Sequence, residues 1–227
     1  MSGTNAAKPG RFSRGHVLTG ALAGGLTLFL IAAALAVRGE PYAFDREILL
    51  AMRLADDPSA PAGPDWLLRA AREITALGGT PVLTLLTVFL TGYFIVKKQF
   101  ASLCILLAAV LGESIIVDIL KDMFARARPD FVTHFVEAGN KSFPSGHSSS
   151  AAAIYPTLAA FAARETQSGA VRRYLFIVAL LLALLVGASR LYLGVHFPTD
   201  VMGGFGFGAA WAAFVFLAAG RIGKQTG

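Results

Sequence analysis

Charge is scarce in this chain. Only 15% of its 227 residues are charged, against 55% hydrophobic. That balance excludes a disordered protein and leaves too few polar residues to cover a soluble domain of this size. Cysteine is almost missing. Cys104 has no partner within the chain, so neither a disulfide, a redox compartment nor a zinc site can be argued from it. Acid is outweighed by base, 14 residues to 20, for a net charge of +6. Those basic residues lie scattered between apolar runs and form no stripe, so nucleic acid is not the expected partner. No internal repeat or low-complexity tract stands out. What the chain has in abundance is long apolar runs and a mean hydropathy of +0.62. Basic residues gathered at the ends of such runs are the mark of membrane proteins.

Six runs approach the roughly 17–25 residues that cross a bilayer as a helix. They are Val17 to Val37, Thr80 to Val96, Phe100 to Leu120, Ser148 to Ala163, Tyr174 to Ser189 and Val201 to Ala219. The two runs of 16, at 148 and 174, need neighbouring residues to complete a crossing. The fold expected is therefore all-α: one polytopic membrane domain over 1–227, built as a bundle of six transmembrane helices. Residues 1–16 form a cytoplasmic tail. The first run is longer than the apolar core of a secretory signal, so it is read as a span. Residues 38–79 form an extracytoplasmic loop with a turn-like stretch at Asp57-Pro58-Ser59-Ala60-Pro61. Within it, Trp66, Leu67, Ala70, Ile74 and Leu77 repeat at helical spacing, which fits a short helix at the interface or packed on the bundle. Basic density near the span ends places the N-terminus inside.

Polar chemistry collects in three stretches between 121 and 200. Lys121, Arg126, Arg128 and Pro129 follow the third run. Pro144-Ser145-Gly146-His147 opens the fourth. Ser189-Arg190, His196, Pro198 and Asp200 join the fifth to the sixth. In an alternating bundle these stretches meet at one membrane surface. Lys121, Arg128 and Arg190 then supply three positive charges, and arginine forks match phosphate oxygens. Ser145 and Gly146 begin a helix, where free N–H groups and the macrodipole favour an anion. His147 and His196 add a candidate nucleophile and a candidate general acid. Asp200 can accept a proton from an imidazole and fix its tautomer. Three cations around an attacking imidazole describe a phosphoryl-transfer site.

Lys121 through Arg128-Pro129 resembles the K-x6-R-P motif of the type 2 phosphatidic acid phosphatase, or lipid phosphate phosphatase, superfamily. Pro144 to His147 is similar to its PSGH motif, and Ser189-Arg190…His196…Asp200 to its S-R-x5-H-x3-D. The resemblance implies that His196 forms a phosphohistidine with Asp200 in support. It implies that His147 protonates the leaving group, and that Lys121, Arg128, Ser145, Gly146 and Arg190 bind phosphate. No metal and no cofactor are implied, since the cationic side chains take magnesium's electrostatic role. Whether the Ser189 hydroxyl touches phosphate or caps a helix stays open.

Other polar residues have plainer readings. Arg126 and Lys141 are expected as headgroup anchors, and His16 and His134 as solvated loop residues. Glu113 and Asp118 are costly within a span and are expected to face the bundle interior, with Asp118 one turn before Lys121. Gly204 and Gly208 read as helix packing. The function expected is hydrolysis of a lipid phosphate or diphosphate, with undecaprenyl diphosphate first. Phosphatidic acid, phosphatidylglycerol phosphate and lipid A are the alternatives. The expected partners are that lipid substrate and the surrounding membrane lipids. The expected place is a bacterial inner membrane with the site facing the periplasm. A vanadate-dependent haloperoxidase shares the phosphate-binding motifs but resembles soluble helical proteins. A small transporter or channel would leave the three motifs unexplained.

Overall fold

The computed structural model describes residues 14–225, so most of the expected cytoplasmic tail lies outside the described residues. Eight helices follow in order: α1 Arg14–Ala36, α2 Ala43–Ala51, α3 Asp65–Ala76, α4 Thr80–Val96, α5 Phe100–Phe124, α6 Gly146–Ala162, α7 Gly169–Tyr192 and α8 Pro198–Gln225. The stretch expected as a turn at 57–61 is a strand. It pairs with Arg53–Leu54 in a small antiparallel hairpin, Arg53 opposite Pro61 and Leu54 opposite Asp57.

The protein is an all-α polytopic membrane protein, but fewer helices than six qualify as crossings by length and composition. Among the described residues α1, α5, α7 and α8 do, and α3 with α4, bent by 42° at their junction, make a fifth. The shortfall lies in α4 and α6, at 17 residues each. At 1.5 Å per residue such a helix runs only about 25 Å, short of a hydrocarbon core of roughly 30 Å. The composition of α6 has a second cause. It sits inside the protein, burying Ser148, Ser149, Ala151, Ala152, Ala153, Ile154, Thr157 and Ala159. A helix enclosed by other helices has little lipid to face and does not need an apolar surface all round.

Small residues let these helices approach closely, as membrane interfaces require when lipid tails compete with every apolar contact. A Cβ on Gly204 of α8 would lie 2.5 Å from the carbonyl oxygen of Ser145. One on Gly208 would collide with the Ser149 carbonyl, so both glycines serve the packing expected of them. On the other side of α8, Gly206 meets α1, where an added Cβ would lie 2.5 Å from Phe29 N.

In α5 the helix widens into one π turn at Ala108–Gly112, and Trp211 Nε1 donates to the Ala108 carbonyl at 3.1 Å. Glu113 follows, buried, with Ser150 Oγ donating to its Oε2 at 2.9 Å. Asp118 is exposed, against expectation. Five residues turn a helix by roughly 140°, so the two acids do not share a face. The short helix α3 packs on the bundle, and its buried face carries Ala71 and Thr75. Ala71 meets Leu193 and Val195, with Leu68 packed against them, while Trp66 from the expected stripe stays 60% exposed.

Candidate active site

The α5 helix ends because Ala125 adopts a left-handed conformation, φ +46°, with its N–H donating to Lys121 O at 2.9 Å. Lys121 therefore stands in the last turn, and Arg126 and Arg128 leave on the outgoing chain. Arginines strap that chain to the bundle through its own carbonyls. Arg53 donates to Thr133 O at 3.3 Å, Arg72 to Phe135 O at 3.0 Å, and Arg128 Nε to Gly139 O. The chain then returns to α6 at Ser145, the helix N-cap. Ser145 Oγ accepts from Ser148 Oγ at 2.9 Å, and Ser145 N–H donates to Asp200 O at 3.0 Å. That bond ties the PSGH turn to the start of α8.

After α7 the chain reverses at Gly194, φ +78°. Only glycine fits there: besides the positive φ, an added Cβ would lie 2.5 Å from both Arg53 Nη2 and Thr133 O. The turn delivers His196 to a buried position between two partners. Its Nδ1 faces Asp200 Oδ2 at 3.4 Å, and its Nε2 faces Arg128 Nη1 at 3.2 Å. Arginine can only donate. Nε2 therefore carries the lone pair, and Nδ1 carries the proton directed at Asp200. Burial above all, then the charges of Arg128, Arg190, Lys121 and His147, hold the imidazole well below its usual 6.5. A neutral imidazole with its lone pair among cations has the chemistry to attack an anion bound there.

The remaining expected residues join it. Lys121 lies beside Gly146, its Cε 3.8 Å from where a Cβ would stand, and its Nζ donates to Lys141 O at 3.3 Å. Arg190 is buried, with Nη1 donating to Thr75 Oγ1 of α3 at 2.8 Å and Nε lacking any protein acceptor. His147 packs under the α3–α4 turn, where a Cβ on Gly79 would lie 3.6 Å from its Nε2. All eight expected residues thus meet at one end of the bundle. Ser189 is resolved by its bond to Val186 O at 2.6 Å, inside its own helix. Among the described residues no three His, Cys, Asp or Glu side chains converge as a metal cluster.

Residues 102–224 match the profile of the PAP2 superfamily. The chain belongs to that superfamily. As such it is a lipid phosphate phosphohydrolase of the membrane. It is 40% identical over 146 residues to phosphatidylglycerophosphatase B of Bacillus subtilis, covering 63% of this chain and 70% of that protein. It is 26% identical over 203 residues to lipid A 1-phosphatase of Rhizobium johnstonii, 78% of each chain. The fold matches the crystal structure of a transmembrane PAP2-type phosphatidylglycerolphosphate phosphatase from Bacillus subtilis with a TM-score of 0.76 at 34% identity. That match covers 88% of this chain and 97% of the other.

Several residues of this phosphohydrolase's site escaped the sequence reading. Arg126, expected as a headgroup anchor, is fully buried, its guanidinium paired with Asp45 and Asp200. The signal available was its place inside the K-x6-R-P spacing, two residues before Arg128. Asp45 and Thr75 come from the long loop and carry no motif; only the fold brings them in. Lys141, expected as a headgroup anchor, pairs with Asp122, and His134, expected to be solvated, donates from Nε2 to Pro129 O at 2.6 Å.

Proposed function

We propose that the protein removes the phosphate of a lipid phosphomonoester through a phosphohistidine on His196, with phosphatidylglycerophosphate the first substrate to try. The observation that carries the reading is Arg128 Nη1 at 3.2 Å from the buried His196 Nε2, on an imidazole that also feels the charges of Lys121 and Arg190. Phosphate oxygens would take the N–H groups of Lys121, Arg128 and Arg190, including the buried Arg190 Nε that has no acceptor in the protein. Nε2 then bonds phosphorus as the P–O ester bond breaks, and the departing lipid alkoxide takes its proton from His147. Water attacks the phosphohistidine next, giving its proton to His147 and releasing inorganic phosphate. Charge on the transferring group is met by fixed cations, so no metal is required by this scheme.

Undecaprenyl diphosphate, first on sequence grounds, now ranks below the alternatives. The similar proteins named above are a phosphatidylglycerophosphatase and a lipid A phosphatase. In this reading α4 and α6 also cross, the N-terminus lies inside, and the site opens outward. Purified protein in detergent, given phosphatidylglycerophosphate, phosphatidic acid, lipid A and undecaprenyl diphosphate, should release phosphate fastest from a monoester. Faster release from the diphosphate would reverse the ranking.

A further inference from the structure

A buried ionic group backs His196, built from residues to which the three motifs assign no role, Arg126 and Asp45, and from Asp200. We infer that Arg126 and Asp45 are positioning residues, which hold the Asp200 carboxylate on His196 and balance the charge that the imidazole gains when phosphorylated. The inference rests on His196 being the nucleophile.

The geometry assigns each oxygen of Asp200 a task. Oδ1 accepts from Arg126 Nη1 at 2.7 Å, while Oδ2 accepts the Phe197 N–H at 2.8 Å and faces His196 Nδ1. With both oxygens engaged, the carboxylate cannot rotate away from the ring. Asp45 in turn fixes Arg126 and the start of α8. Its Oδ2 lies 3.4 Å from Arg126 Nη2 and accepts from Thr199 Oγ1 at 3.0 Å, and its Oδ1 accepts the Thr199 N–H at 2.9 Å. Arg126 Nη1 also donates to Thr199 Oγ1 at 2.6 Å, and its guanidinium lies 4.3 Å over the Phe197 ring. Both side chains of the Arg126–Asp45 pair are 0% exposed, so neither belongs to the substrate's surface.

Charge counting says why two carboxylates are present. At rest, Asp45, Asp200 and Arg126 sum to one negative charge beside a neutral imidazole. When Nε2 bonds phosphorus, the ring keeps its Nδ1 proton and becomes a cation, and the buried group sums to zero. Without Asp45 it would finish with a surplus positive charge. Without Arg126, two carboxylates would face each other in a site too buried to hold both.

The test measures kcat, KM and the Ki of inorganic phosphate for Arg126→Met, Arg126→Lys, Asp45→Asn and the double variant Asp45→Asn/Arg126→Met. Expected losses in kcat are about 100-fold for Arg126→Met and about 10-fold for Asp45→Asn, the range for partners that orient a reacting ligand. KM and the phosphate Ki should stay within about threefold, because the cations that hold phosphate are untouched. The double variant restores the resting charge of the parent and should turn over faster than Arg126→Met alone. Arg126→Lys keeps the charge but loses the fork, so its kcat should fall with KM unchanged. If Arg126→Met does not fold in detergent, Arg126→Lys and Asp45→Asn decide by the same split. Unchanged kcat, or KM and Ki rising together with the loss, overturns the inference; so does a double variant no better than Arg126→Met. An active His196→Ala would instead overturn the reading beneath it.

Discussion

Arg126 and Arg128 stand two residues apart on one loop and meet opposite fates. Arg126 has two carboxylates on its guanidinium and is closed off. Arg128 donates to the carbonyls of Val195 and Gly139 and to His196 Nε2, all neutral groups. Arg190 follows Arg128, bonded to a threonine hydroxyl with its buried Nε left without a partner. A buried cation on a carboxylate is already neutralised and can only organise its neighbours. A cation on neutral partners, half-buried like Arg128 or buried like Arg190, keeps its charge for an anion that is still to arrive. Position in sequence separates these arginines poorly. The charge of their partners separates them cleanly.

The largest effect expected on this comparison comes from the imidazole that Arg128 touches and that Arg126 reaches only through Asp200. His196→Ala should lower turnover by at least about 10⁴-fold, the scale of losing a member of a catalytic set, and should leave no acid-labile phosphoenzyme. Quenching with radiolabelled substrate shows it directly. A labelled phosphoenzyme in the variant would mean that the nucleophile lies elsewhere.

Arg128→Lys and Arg190→Lys come next and sharpen the contrast with Arg126. Each should cost about 10²–10³-fold in kcat/KM, comparable to losing a donor that meets developing charge. Unlike the Arg126 variants, they should also raise the Ki of inorganic phosphate. Lysine keeps the charge but cannot span two acceptors, so rescue by lysine should be poor. A phosphate Ki unchanged in both variants would erase the distinction drawn between the two kinds of arginine.

Smaller again is the effect of the turn that carries His196. Gly194→Ala places a side chain at φ +78° and against Arg53 Nη2 and Thr133 O. It should destabilise the protein by about 1–3 kcal/mol, visible as a lower thermal midpoint in detergent. An unchanged midpoint would show that the Arg53 strap and the His196 turn are not coupled.

These residues also show how far the sequence could be read. That three cations and both histidines gather in one place was legible because those residues stand at fixed spacing in three short stretches. The membrane class was legible because apolar runs need no tertiary context. The length of α6 was not, since its small buried residues look like a weak span until the helices around it are known. Asp45 and Thr75 were illegible for a related reason, and Arg126 was misread although it stands inside the K-x6-R-P spacing. A lone acid or threonine in a long loop has no period, and Arg126 resembles an anchor until two carboxylates are seen to enclose it. Asp118 misled because hydropathy registers that an acid is in a span but not which face it occupies.

The smallest effect tests the protonation state of His196 itself. Burial and the surrounding cations hold its imidazole well below 6.5 in the folded protein, while the unfolded chain titrates near 6.5. Below pH 6.5 the unfolded state therefore binds a proton that the folded state refuses. The stability that belongs to neutral His196 is complete above pH 6.5 and is lost as pH falls from there toward the folded value. One such group changes stability by at most about 1.4 kcal/mol per pH unit. His196→Asn keeps a polar side chain that cannot take the proton. Thermal midpoints in detergent, measured from pH 7.5 down to pH 5, should fall more steeply for the parent than for His196→Asn, the two curves separating only below pH 6.5. Parallel curves would mean that the folded site accepts the proton, which would require an acceptor at His196 Nε2 where Arg128 now donates. The contrast between the arginines would then fail at its centre, because Arg128 would no longer be holding a lone pair.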